Sequence, residues 1–218
     1  MTNIVDSLGI IQGSSQTLSQ VHQNNGFING SYPSNNYLAA VGYSNQIGPS
    51  SGALTSTALT TGTLFYYPFF CFTTTTFKAI SVRVVTGVAA SNINMGVYNS
   101  LNGQPTGSPI TGTMSGSTAS TASNTTLTFT FANPIVLTAG NLYYVALTGS
   151  SSTIATLAVS YNATGSFTGL GVSTIAATST QNIGWSQAFV YNTTLPTAAS
   201  LTALTTLSTF RIIYLQVN

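Results

Sequence analysis

The chain has almost no ionic side chains. Its 218 residues include one acidic residue, Asp6, no glutamate, and three cations, Lys78, Arg83 and Arg211. Charged residues make up 2% of the chain, whereas about 25% is typical of soluble proteins. Three scattered cations do not form the basic stripe with which a protein neutralises nucleic-acid phosphates. We therefore expect no nucleic-acid partner.

The residues on which most active sites and metal sites depend are equally scarce. The chain has one histidine, His22, and one cysteine, Cys71, whereas a metal site takes a cluster of His, Cys, Asp or Glu and a glycosidase takes two carboxylates. Asp6 and His22 have no G-x-S-x-G turn to complete a catalytic triad. Cys71 lies in the apolar run FYYPFFCF, which favours a buried and inert thiol. We predict a protein that is not an enzyme and that binds no metal and no cofactor.

Long apolar runs are also missing. No stretch of 18 apolar residues exists, so no membrane-spanning helix is expected. The first residues are polar and include Asp6, where a signal peptide has a basic segment followed by an apolar one. These features predict synthesis in the cytoplasm without a signal peptide.

Hydroxyl and amide side chains take the place of charge. Serine and threonine together supply 65 residues and asparagine 18, while hydrophobic residues make up 43% of the chain, enough for a folded core. A soluble protein normally keeps its copies apart by surface charge, and neutral contacts depend little on salt. The composition therefore favours a surface that packs against neighbours in a multi-copy assembly. For Arg83 and Arg211, with one acid in the chain, the expected partners are backbone carbonyls or helix ends.

The composition changes near residue 60. Residues 1–60 are rich in Gly, Ser, Asn and Gln, with short apolar clusters and no sustained period, and are predicted to form an N-terminal anchoring arm. Such a segment has too few apolar side chains to offset its own ordering entropy, so it is expected either to lie along its own body or to thread between neighbouring copies. Residues 61–218 are predicted to form the body.

The body shows the period of two that is typical of strands. The run TTLTFTFA puts Leu127, Phe129 and Phe131 on one face and threonines on the other, as in an antiparallel strand with one buried face. The runs FKAISVRVV and NINMGVY alternate similarly, with Ser81 and Arg83 outward. Their predicted inward residues are Ile80, Val82, Val84, Ile93, Met95 and Val97.

Other runs complete an all-β pattern. LYYVALTG is apolar on both faces, which predicts a central strand covered on each side, and ATLAVSY and STFRIIYLQV are further strands. In ATLAVSY the predicted apolar face holds Ala155, Leu157, Val159 and Tyr161. Gly, Pro and Asn separate the runs where turns need them, and LTALTTLSTF allows at most one short helix. The fold class is therefore predicted to be all-β, an antiparallel β-sandwich of jelly-roll type with an extended N-terminal arm.

The region 77–148 resembles a jelly-roll pattern of tailed-phage virion structural proteins and of secreted lectin-like modules. The resemblance lies in GVYNSLNGQPTGSP, residues 96–109, and in FTFANPIVLTAGNLYYVAL, residues 129–147. Pro134 is expected to end a strand at a sheet edge and Gly140 to permit the turn back. The lectin-like modules have a calcium site with several Asp residues, which this chain lacks.

Two groups of aromatic residues are candidates for a ligand or interface site. Trp185, Gln187 and Tyr191 have the chemistry of a sugar-stacking platform with polar neighbours, although a core position is the favoured interpretation for Trp185. Tyr161 lies in a similar group with Asn162 and Phe167, and His22 is expected to hydrogen-bond at an interface or surface.

The resemblance and the low charge together imply a virion component. The expected function is a capsid decoration, or cement, protein that self-associates, as a homotrimer by analogy, and binds the major capsid protein or other virion proteins. The alternative is a receptor- or glycan-binding module of a phage tail fibre or spike, with host glycans as partners.

Overall fold

A computed structural model describes residues 4–5, 11–12, 38–40, 54–71, 73–160, 184–207 and 209–218. These residues are nearly all β. The strands are β1 (Ile4–Val5), β2 (Ile11–Gln12), β3 (Leu38–Ala40), β4 (Leu54–Ala58), β5 (Thr63–Phe70), β6 (Thr75–Thr86), β7 (Asn92–Leu101), β8 (Gln104–Thr106), β9 (Thr118–Ala119), β10 (Thr125–Leu137), β11 (Leu142–Gly149), β12 (Ala155–Ser160), β13 (Trp185–Ala188), β14 (Thr205–Thr206), β15 (Thr209–Arg211) and β16 (Ile213–Val217).

Two seven-stranded antiparallel sheets pack against each other, which confirms the predicted all-β sandwich. In the first sheet β6 pairs with β10 along one edge and with β16 and the start of β12 along the other, while β4 and β15 pair with β12, and β3 pairs with β16. The second sheet has the order β14-β13-β5-β11-β7-β8, and β9 also pairs with β7. From β5 to β13 the long strands cross alternately between the two sheets.

The core between the sheets follows the predicted alternation. Leu127 and Phe129 pack against this core and Phe131 is buried in it, while the threonines between them are exposed. The other inward residues predicted for β6 and β7 are all fully buried there. Ser81, predicted to face outward, is nevertheless buried, and its Oγ lies 2.9 Å from Thr128 Oγ1. The predicted central strand, β11, is buried on both faces.

Three features refine the sequence-based predictions. The short helix is a three-residue 3-10 helix, Leu201–Ala203. In β12, Ala155 of the predicted apolar face is buried, and so are Thr156 and Ala158 of the opposite face. The side chains of Leu157, Val159 and Tyr161 lie outside the described residues. Within the predicted arm, β3 and β4 belong to the first sheet, so at these residues the chain lies along its own body; the division at residue 60 stays a prediction.

Helices of membrane-spanning length and polarity are absent from the described ranges. Over the same ranges, no three His, Cys, Asp or Glu side chains come together in a way that could hold a metal ion. Cys71 is buried, as predicted, and burial raises the pKa of its thiol to about 11.

Candidate functional site

The predicted aromatic site lies on the outer face of the second sheet, the face turned away from the first sheet. Trp185 and Gln187 belong to β13, where they pair in register with Tyr66 and Leu64 of β5. Because residues directly opposite each other in an antiparallel pair share a face, these four side chains lie on the same side of the sheet. The sheet therefore has a second apolar surface besides the one that faces the core.

We call this second surface the outer layer. Its buried members are Leu64, Tyr66, Tyr98, Tyr144, Ala146 and Leu195. Partly buried side chains that pack against them are Met114, Leu142, Trp185, Phe189, Ala198 and Leu204. Four of these twelve residues, from Phe189 to Leu204, come from the irregular segment that follows β13, and we call residues 189–204 the strap. The strap thus covers part of the sheet in the way that a third layer would.

Side-chain donors of the sheet hold the backbone of the strap. Asn94 Nδ2 donates to the carbonyl oxygens of Asn192 and Thr193, each at 2.9 Å. The hydroxyl of Tyr98 donates to the carbonyl of Pro196 at 2.8 Å. An irregular segment has no strand partner for its carbonyls, and a buried carbonyl without a donor costs free energy. These amide and hydroxyl groups therefore fix the strap in place.

Close packing adds to the hydrogen bonds. A Cβ atom built on Gly96 would lie 2.8 Å from Leu195 Cδ1, so the absence of a side chain at residue 96 makes room for this leucine. Leu195 N also lies 3.1 Å from the Met114 sulfur. Close packing as well as hydrogen bonding therefore holds the strap against β7.

Gln187 connects the strap to β5. Its side chain is buried, and Oε1 accepts hydrogen bonds from the Tyr66 hydroxyl at 2.9 Å and from the Ala199 amide at 2.7 Å. A carbonyl oxygen has two lone pairs, and both are occupied by these donors. The amide oxygen of Gln187 is therefore engaged inside the protein.

Trp185 supports the β7–β8 hairpin. It is half-buried, and its Nε1 lies 3.2 Å from the carbonyl oxygen of Gly103 and 3.3 Å from the Tyr144 hydroxyl, which itself donates to Gly103 O. Asn102 and Gly103 form the hairpin turn with positive φ, as an Asn-Gly pair favours. The one polar atom of Trp185 is thus engaged within the protein.

Tyr191 lies at the start of the strap. It is half-buried, and its hydroxyl donates to Ser117 Oγ at 3.2 Å. Trp185 Nε1, Gln187 Oε1 and the Tyr191 hydroxyl are thus all engaged in hydrogen bonds within the protein. The outer layer therefore has the geometry of a packed surface, and this arrangement does not favour a sugar platform. Tyr161, its neighbours Asn162 and Phe167, and His22 lie outside the described residues.

Burial also shapes the acid–base chemistry of this layer. The pKa values of Tyr66 and Tyr98 are raised because both phenols are buried. The two rings meet edge to face with centroids 5.1 Å apart, a favourable aromatic geometry. These phenols are neutral hydrogen-bond donors at neutral pH.

The other polar cluster lies at the edge of the sandwich core and centres on Arg211, which is 3% exposed. Its guanidinium donates to the carbonyls of Thr57 at 2.7 Å and Ala58 at 2.6 Å, and to Thr156 Oγ1 at 3.0 Å. Its central carbon lies 4.8 Å from the centroid of the Phe65 ring. The predicted pairing of this arginine with backbone carbonyls is confirmed.

Burial lowers the pKa of Arg211, with Tyr67 opposing part of that change. The Nε of Arg211 is buried and has no hydrogen-bond partner among the residues that the structure describes. Asp6, the one acidic residue of the chain, lies outside them. Within the described residues, Arg211 therefore hydrogen-bonds to neutral acceptors. These bonds link the end of β4 to β12 and to β15, which contains Arg211.

Sequence reasoning predicted that β11 is covered on both faces, because Tyr144 and Ala146 alternate with the core residues Tyr143 and Val145. It did not identify the strap as the cover of the outer face, nor Asn94 as a donor that holds it. No family model matches the chain, and no curated protein matches it.

Proposed function

We propose that the protein is a non-enzymatic structural component of virus particles, a capsid decoration protein that is present in many copies. On this proposal, residues 1–60 anchor it to the shell, its body packs against other copies of itself as a homotrimer, and the major capsid protein is its main partner. Its role is to stabilise the shell, and it is carried on the virion.

The observation that supports this proposal best is the neutrality of the surface. Of the three cations in the chain, Arg211 is buried, while Lys78 and Arg83 are half-buried on β6. The exposed residues of β10 and of the strap are mainly Thr, Ser, Asn and Ala. A surface without charge lacks the usual repulsion between copies, and its contacts keep their strength when the salt concentration changes.

The attachment of β4 supports the anchoring role. Leu59 is buried and its amide donates to the carbonyl of Ile154 at 2.7 Å, next to the bonds that Arg211 makes to Thr57 and Ala58. The residues before β4 therefore join the body through a firmly held strand, which is able to transmit load between an anchored segment and the sandwich.

Immunogold labelling tests the proposal directly. Antibodies raised against the full chain are applied to virus particles purified from the source of the sequence and to the particle-free fraction. We expect regular labelling of the shell, and no labelling by the same antibodies after absorption with the purified chain. Label confined to the particle-free fraction would contradict the proposal, whereas label confined to the tail would move the protein to a fibre or spike.

Particle stability tests the cement role separately. Particles made with and without the chain are heated, and release of nucleic acid is followed with an intercalating dye. We expect release at a lower temperature without the chain and recovery when the purified full chain is added back. Equal release temperatures would argue against cement.

A further inference from the structure

Within the described ranges, β10 is an edge strand that pairs along one side only. Among the described residues β6 is its one partner strand, paired from Thr125 opposite Val84 to Leu137 opposite Thr75. The backbone N–H and C=O groups on the open side of an edge strand form a template for another strand. A partner for this edge is therefore a β-strand.

The two halves of β10 differ in how they treat this edge. The register with β6 is unbroken from Thr125 to Thr130 and then shifts before Ile135, in the stretch that contains Pro134. Natural proteins block edge pairing with bulges, prolines and charged side chains. In β10 the irregular half carries a register shift and a proline, while residues 125–130 carry neither of these and no charge.

The sandwich core is also open along this half. Leu127 and Phe129 point toward the core but are only half-buried, whereas Phe131, in the irregular half, is 4% exposed. A strand added beside residues 125–130 would remove the first two side chains from water. Addition of one strand would thus both pair the backbone groups of this edge and bury the two apolar side chains.

The sequence of this half is complementary to itself. In an antiparallel pair of two β10 strands centred on Thr128, Leu127 of each copy lies opposite Phe129 of the other, and Thr126 lies opposite Thr130. Residues directly opposite each other share a face, so apolar side chains meet on the core face and threonines meet on the outer face. A register displaced by one residue at one strand would place threonines against the apolar pair.

We propose that residues 125–130 of β10 pair antiparallel with the same residues of a second copy, about a two-fold axis at Thr128. The pair joins the two first sheets into one continuous sheet. This contact deepens the proposed function, on whose self-association it rests, by naming one surface that carries it. Because an isologous strand pair is two-fold, it is separate from any three-fold contact of a homotrimer.

A charge placed on the axis tests the register. Thr128 is exposed on the outer face, where its Oγ1 lies 2.9 Å from the Oγ of the buried Ser81. Thr128→Lys removes this contact and puts two lysines opposite each other in the pair. Thr128→Val removes the same contact without adding charge and is expected to keep the pairing. Sedimentation equilibrium of the wild-type full chain is expected to show paired copies, at twice the 22.5 kDa mass of one chain or a multiple of it. Thr128→Lys and Thr128→Glu are each expected to lose the pairing at low salt, and an equimolar mixture of the two is expected to regain it as a heterodimer.

A matched control distinguishes the effect of a charge at the two-fold axis from the effect of adding the same charge elsewhere. Thr111→Lys adds the same charge at an exposed turn position and is expected to keep the wild-type mass. Circular dichroism spectra that match the wild type establish that each variant is folded. High salt is expected to restore pairing of Thr128→Lys with itself, because it screens the repulsion.

The proposal is overturned by a wild-type chain that is monomeric at the highest soluble concentration, by a folded Thr128→Lys that keeps its paired mass, or by a mixture of the two charged variants that stays unpaired. Failure of this contact is distinguishable from failure of the proposed function. If the copies pair but particles are not labelled, the virion role is contradicted and the contact stands. If particles are labelled but the chain is monomeric, the contact is contradicted and the virion role stands.

Discussion

The second sheet buries both of its faces, but with different chemistry on each. Alternate residues of β5, β7 and β11 face the sandwich core, where aliphatic and phenylalanine side chains dominate, or the outer layer, where three of the six buried residues are tyrosines. The core is covered by another sheet, whose backbone groups are already paired, whereas the outer layer is covered by the irregular strap. The strap needs donors for its carbonyls, and Asn94 and Tyr98 supply them. What covers a face therefore determines which residues suit it.

Arg211 extends this rule to the edge of the core. It lies among apolar side chains, yet its donors reach the carbonyls of Thr57 and Ala58 at the end of β4. A buried side chain with several donors is again found where the chain leaves regular sheet pairing. In both places side-chain donors bind backbone carbonyls that lie outside regular sheet pairing. The donors are neutral in the outer layer and charged in the Arg211 cluster.

The largest expected loss is in the core. Phe77 is fully buried and meets Phe69 edge to face with ring centroids 5.5 Å apart, so Phe77→Ala is expected to lower the free energy of unfolding by about 4 kcal/mol through lost burial and a cavity. Chemical denaturation followed by far-ultraviolet circular dichroism measures it. Leu101→Ala is the control, since Leu101 is 62% exposed and should change stability little. A Phe77→Ala loss similar to that of the control would show that this core is not the main source of stability.

Trp185→Ala is expected to lower the free energy of unfolding by about 2 kcal/mol. This loss is smaller than that of Phe77→Ala because the Trp185 ring is half-buried. Trp185→Phe keeps a ring but removes the bond to Gly103 and should recover part of the loss. Each variant is measured by denaturation and on a glycan array. Binding of a glycan by the wild type that vanishes in a stable Trp185→Ala protein would contradict the packing role and favour the receptor-binding alternative.

The strands of the core and the need for a cover on both faces of β11 were predictable from the sequence, but the residues that cover the outer face were not, for one physical reason. Alternation in β10 reports a face buried against another regular element, and Leu127 and Phe129 follow it. The strap has no period, since Leu195 and Ala198 reach the sheet through an irregular path, and no local pattern tells which tyrosine they meet. Trp185 and Gln187 were identified as candidates by residue type, but their hydrogen-bond partners Gly103 and Ala199 are set by tertiary structure.

Alkaline pH is expected to weaken both faces. Burial raises the pKa of Tyr67 in the core to about 12, against the opposing effect of Arg211, and raises the pKa of Tyr66 and Tyr98 in the outer layer. In the unfolded chain the tyrosine pKa is about 10, so above that pH the unfolded chain binds fewer protons than the folded one, and stability falls as pH rises. At pH of about 11 each of these three tyrosines should lower the free energy of unfolding by about 1.4 kcal/mol.

Melting temperatures across a pH series measure this effect. With Asp6 the one acidic side chain, stability should change little in acid and fall from about pH 9 upward, where the unfolded thiol of Cys71 also begins to ionise. If the melting temperature fell as much in acid as in alkali, the pH dependence could not be attributed to the buried tyrosines. Tyr98→Phe should make the alkaline slope shallower.

The smallest expected effect separates the two faces most sharply. Tyr98→Phe keeps the ring against Tyr66 but removes the hydroxyl that donates to Pro196 O, so we expect a loss of about 1 kcal/mol. Because one anchor of the strap is lost while the core is untouched, hydrogen exchange should accelerate at the amides of Leu195, Ala198 and Ala199 and stay slow in β11. Local opening of this kind is independent of global unfolding. Equal acceleration in β11 would mean that the strap and the sandwich open as one unit, and that the outer layer is part of a single core.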